Sequence, residues 1–147
     1  MPEVDVTLAI EAPAERVWEA VLDIESYPAA MENVRSVRVL GADGEPGQRS
    51  AWSIVLKGSI LEWEERDLID EAAMEMRFHQ LSGDLSEFDG FWRVRPDGPE
   101  RSTARFAVTF EIGIPLLAEM LNPVATRSLE ENCAEMLRGV ERQAVAP

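Results

Sequence analysis

The sequence of 147 residues is poor in the groups that most chemistry uses, having one cysteine, Cys133, and one histidine, His79. A lone cysteine makes no internal disulfide, and neither residue has companions at metal-ligand spacing, which excludes a structural zinc site. Basic residues are half as numerous as acidic ones, 14 against 28, for a net charge of −14. Such a field repels phosphate backbones and anionic membranes, so nucleic acid is not expected as a partner. No apolar run approaches the roughly 18 residues needed to cross a bilayer. The opening Met1-Pro2-Glu3-Val4-Asp5 lacks the basic and apolar segments of a signal peptide. A cytoplasmic location without a membrane span is the expectation, and nothing calls for a cofactor. With no repeat, low-complexity tract or linker to divide it, the chain reads as one domain, 1–147.

What is present is periodic apolar patterning. Residues 4–12 alternate Val4, Val6, Leu8 and Ile10 with polar neighbours, the pattern of a half-buried strand. Pro13 then opens a short amphipathic helix carrying Val17, Trp18, Val21 and Leu22, which Tyr27-Pro28 ends, and a second short helical turn is expected around 29–33. Alternation returns at 34–40, 49–57, 59–69, 73–81, 85–94 and 103–112, with Gly, Asp and Pro at the junctions. From 115 to 142 the period becomes helical, with Leu117, Leu121, Val124, Leu129, Met136 and Val140 able to share a face. Pro123 predicts a kink or broken turn there, and Gly139 weakens the end. Seven antiparallel strands with one apolar face need a cover, and the only element long enough is the C-terminal helix. The fold class is α+β, with a curved sheet gripping a long helix and two short helices between the first two strands.

That order resembles the START-related, pollen-allergen-like superfamily of helix-grip proteins, and within it the polyketide cyclase and coenzyme-Q-binding-protein-like group. The carriers are residues 10–18 (IEAPAERVW), 23–28 (DIESYP), 88–94 (FDGFWRV) and 116–124 (LLAEMLNPV). The resemblance implies a deep cavity between helix and sheet for lipids, sterols, quinones or poly-β-keto chains, with or without chemistry. The aromatase/cyclases it resembles carry a cavity Tyr where this chain has Val34 and a cavity Arg where it has Ser59, so their mechanism does not carry over.

Strand parity maps the expected pocket wall. Trp52, Trp63, Met74, Met76, Phe78, Phe88, Trp92, Phe106 and Phe110 fall on the inward face, and Leu117, Leu121, Asn132 and Met136 face them from the helix. The three tryptophans are suited to a flat or polyenic apolar ligand, though indoles also simply fill cores. Tyr27 stands where it can close one end. Glu65 and Asp67 share the phase of Leu61 and Trp63, which makes Glu65 a candidate internal acid or else a residue at the pocket rim. His79, the only imidazole, is the other candidate for acid-base work, but it alternates with Glu75 and Arg77 and so reads as outward-facing. The expected partner is a hydrophobic small molecule, bound or cyclised; oligomeric state is not legible.

Overall fold

The computed structural model describes the backbone of residues 3–41, 43–56, 59–112 and 115–145; the side chains of 56, 59, 112, 115–126 and 128 fall outside the description. The chain runs β1 (Glu3–Ile10), α1 (Ala14–Leu22), a 3-10 turn (Ile24–Ser26), α2 (Tyr27–Ala30), β2 (Val34–Val39), β3 (Gln48–Leu56), β4 (Ser59–Asp70), β5 (Glu75–Gly83), β6 (Leu85–Pro96), β7 (Ser102–Ile112) and α3 (Pro115–Val145). The sheet order is β1-β7-β6-β5-β4-β3-β2, and every neighbouring pair is antiparallel. β2 to β7 form a meander, and β1 returns to pair with β7. The curled sheet leaves β1 and β2 as its edges, with α3 filling the hollow against β1, β7 and β3 and touching α1 and α2.

Alternation along the strands survives three register shifts. The shift that matters most lies between β4 and β5, where Glu64 pairs with Ser82 and Glu65 with Gln80. The extra residue, Leu81, belongs to β5, so the parity of β4 is untouched and Trp63, Glu65 and Asp67 stay on one buried face. On α3, two rows spaced four residues apart meet that face: Leu129, Cys133 and Leu137, then Met136, Val140 and Ala144, all buried. Each large apolar side chain so covered contributes about 1.5–3 kcal/mol.

Three local expectations change. α2 begins at Tyr27 and runs through Pro28, because proline in a first turn gives up an N–H that would be unpaired anyway. β5 begins at Glu75 rather than 73; Met74 has a positive φ of 50°, ends the preceding turn, and so lies off the strand that was to carry it inward. α3 is helical through Pro123 without a break. A helix with two buried rows absorbs the roughly 3 kcal/mol that an interior proline costs.

Candidate functional site: an aromatic slot with a buried carboxyl pair

The inner face of the sheet and the second half of α3 enclose a slot of about 30 Å³. Its walls are Trp52 and Ile54 from β3, Trp63 and Glu65 from β4, Phe78 from β5, Phe88 and Trp92 from β6, and Phe106 from β7; Leu129, Asn132, Cys133 and Met136 of α3 close it. The volume is that of about one or two water molecules, so among the described residues this is a slot and not the deep cavity that the resemblance implies. Rings fill the space. Trp52 and Trp63 face each other across β3 and β4 with centroids 5.9 Å apart and planes 2° from parallel. Trp92 stacks on Phe106 at 3.9 Å, and Phe88 tilts against Trp63 at 4.9 Å.

On the sheet side, the polar groups of the slot among the described residues come from β3 and β4. Ser50 pairs with Glu65 and Gln48 with Asp67 across the two strands, and Ser50, Glu65 and Asp67 are all buried. The indole N–H of Trp63 donates to Glu65 Oε1 at 2.8 Å. That of Trp52 donates to Ser50 Oγ at 2.8 Å, and Ser50 donates to Asp67 Oδ2 at 2.6 Å. Gln48 reaches the same oxygen at 3.4 Å. Burial pushes the Glu65 carboxyl well above its usual range, and the neighbouring Asp67, by hydrogen bond and by charge, pushes it further, against the smaller opposing pull of the Trp63 N–H. No basic side chain lines the slot among the described residues. Asp67 Oδ1 is buried without a partner unless Glu65 carries a proton to give it.

The other candidates separate. Tyr27 is buried, with its ring edge-on to Trp52 at 5.6 Å and to Trp92 at 5.9 Å. Its hydroxyl donates to the Val21 carbonyl at 2.6 Å, which ties α2 to α1 and leaves no free group for the slot. Met76 and Phe110 are buried in the core behind the slot, and Met74 is half-buried in the β4–β5 turn. Asn132 stands in the slot but gives its amide N–H to the Val55 carbonyl at 2.9 Å, pinning α3 to β3. The side chains of Leu117 and Leu121 lie outside the described residues.

His79 lies on the opposite face of the sheet, paired with Asp89 and Arg66, in an open groove of about 490 Å³ shared with Arg77, Phe91 and Arg105. That groove is much larger than the slot, but it is open to solvent and its Arg77 and Arg105 are ion-paired to Glu75 and Asp5. Glu65, the three tryptophans and the α3 residues of the slot are absent from its lining. Parity had not shown the Ser50–Asp67 link, although the serine sits in phase with Trp52.

The comparisons fit this geometry. Residues 10–137 match the family described as polyketide cyclase / dehydrase and lipid transport. The chain belongs to that family. It is 29% identical over 128 residues, 84% of its length, to the actinorhodin polyketide synthase bifunctional cyclase/dehydratase of Streptomyces coelicolor, and spans only 40% of that relative. TTHA0849 of Thermus thermophilus superposes with a TM-score of 0.90 at 29% identity, covering 98% of this chain and 97% of that one. The Zhui aromatase/cyclase of a Streptomyces species shares the fold at a TM-score of 0.79 and 23% identity, over 98% and 96% of the two chains. The polyketide cyclase reading of the motifs and the helix-grip reading of the fold are thereby borne out, and membership supports a polyketide cyclase-like role in holding a hydrophobic ligand. No helix among the described residues is long and apolar enough to cross a membrane.

Proposed function

We propose that this polyketide cyclase family chain binds a flat, apolar small molecule of the polyketide, quinone or lipid-like class between its sheet and α3. The observation that carries this reading is the slot itself, where stacked indoles and phenyl rings from five strands meet one face of α3. Because the unliganded slot holds about 30 Å³ and drug-sized ligand pockets run to about 300 Å³ or more, binding must part α3 from the sheet or draw the ligand in toward the first half of that helix. A flat ligand suits such a site, since it slides between parallel rings with the least displacement.

A second reading, a working cyclase or dehydratase, is favoured by the Glu65–Asp67 pair, an acid held away from water where proton transfer to a carbonyl would be useful. Val34, buried opposite Ile54, and Ser59 replace the Tyr and Arg of the aromatases, so any chemistry must use other groups. Titration with quinones, sterols and aromatic polyketides, followed by tryptophan fluorescence and by product analysis, tests both readings. Saturable quenching with the ligand recovered unchanged supports a carrier, and a new cyclised or dehydrated product supports the enzyme. No saturable change with any of the three classes would remove the proposal.

A further inference from the structure

We propose that Glu65, backed by Asp67, is the specificity-determining donor of the slot: it holds a proton at the inner wall and gives it in a hydrogen bond to a carbonyl oxygen of the ligand. The inference rests on the ligand-binding reading above and adds what chemistry the ligand must carry. Three observations support it. Glu65 lines the slot while Asp67, two residues along the same strand, lies beside it without lining it. Asp67 Oδ2 takes the Ser50 hydroxyl, and Gln48 stands at 3.4 Å, but buried Oδ1 has no donor among the described residues except a proton on Glu65. Of the three indoles that line the slot, Trp63 gives its N–H to Glu65 and Trp52 gives its own to Ser50, and one N–H of the Asn132 amide goes to Val55.

A carbonyl sliding between the rings therefore meets the Glu65 proton at the inner wall and draws it from Asp67, whose carboxylate keeps the Ser50 and Gln48 donors on Oδ2. A buried oxygen left without a donor forfeits the water it had in solution, and this penalty makes such sites selective. The titratable groups around Glu65 are Asp67 on its own strand, Tyr27 from α2 and Cys133 from α3; Ser50 from β3 and Gln80 from β5 are neutral. None supplies a positive charge.

Fluorene, fluorenone and an aminofluorene with its amine at the carbonyl position share one flat skeleton and separate the alternatives by tryptophan fluorescence titration. The wild-type chain is expected to bind fluorenone about three- to tenfold tighter than fluorene, the range of one neutral hydrogen bond. The preference should fade as rising pH ionises Glu65. Glu65→Gln, which keeps an N–H donor, should retain the preference and lose its pH dependence. Glu65→Leu should bind both ligands alike, and Asp67→Asn should move the loss of preference to lower pH by removing the neighbouring charge. Equal binding of fluorene and fluorenone by the wild type, or a preference that survives Glu65→Leu, overturns the inference and leaves the ligand-binding reading standing. Tightest binding of the protonated amine overturns it too, because it requires an ionised pair. Binding of none of the three removes the inference together with the reading beneath it.

Discussion

The carboxyl of Glu65 sits almost wholly out of water, so its proton binds more tightly in the folded chain than in the unfolded one, whose ordinary value is 4.5. A raised folded value has a definite sign in linkage. The stabilisation is complete below the unfolded value and drains away as pH climbs toward the folded one, by about 1.4 kcal/mol per pH unit while only the unfolded chain has released its proton. Asp5 and Asp43 work in the other direction. Hydrogen bonds from Arg105 and Arg66 hold them below the ordinary 3.8, so whatever they contribute is lost only as pH falls beneath that value, outside the window of Glu65. Denaturant melts across pH should therefore show stability falling from about pH 4.5 upward, with the slope flattened in Glu65→Gln. The glutamine mimics protonated Glu65, accepting from Trp63 through its oxygen and donating to Asp67 through its nitrogen. An unchanged slope in that variant would mean that Glu65 is ionised throughout.

Between elements, a demanding contact is that of α3 with the segment after α2. Gly139, which by propensity alone weakens the helix, is where Met31 packs: a Cβ there would overlap Met31 Cγ and come within 3.1 Å of the Ala30 carbonyl oxygen. Alanine gains up to about 1 kcal/mol of helix propensity at such a position, while forcing a methyl into a filled core costs about 1–3 kcal/mol. Met31 is buried with 1% exposure and the blocking atom is near the root of its side chain, so the cost should win. Gly139→Ala is expected to lower stability by about 1 kcal/mol, measured as a shift in denaturation midpoint; a rise would mean that Met31 swings aside freely.

The same contact shows where sequence reading stops. Periodicity alone yields the seven strands, the helices and their faces, because a register slip would turn Trp52, Trp63 and Trp92 out to solvent. It also puts Glu65 in phase with Trp63 while leaving open whether the acid stands inside or at the rim; the phase holds in the structure because Leu81 bulges from β5 and not from β4. It does not reveal that Met31 needs a glycine more than one hundred residues further along the chain, that Met74 ends a left-handed turn, or that Ser50 joins Trp52 to Asp67. Those are consequences of three-dimensional proximity, and no local pattern encodes them.

For the molecule as a whole, the excess of 28 acidic over 14 basic residues acts as a repulsive field on the folded state. Salt has two opposed effects on it. Screening weakens ion pairs such as Arg101–Glu11, whose side chains are 58% and 74% exposed, and Arg105–Asp5, at 41% and 47%. Pairs so open to water are worth about 0–1 kcal/mol each to begin with, so little is lost. Screening also relieves the repulsion among the unpaired carboxylates, which is long-ranged and summed over the whole surface; at 0.1 M salt the Debye length of about 10 Å already cuts it at less than the span of the sheet. The buried Glu65–Asp67 pair, shielded from ions, responds to neither. The repulsive sum should dominate, and thermal unfolding is expected to move upward as monovalent salt is raised from near zero to about 0.2 M. Ligand binding should be almost indifferent to the same change, since an uncharged apolar molecule feels no steering field. A melting temperature that falls with salt would instead show that the outer-face network around Phe91, where Arg77, Arg93 and Arg105 crowd one ring, contributes more to the fold than its exposure allows.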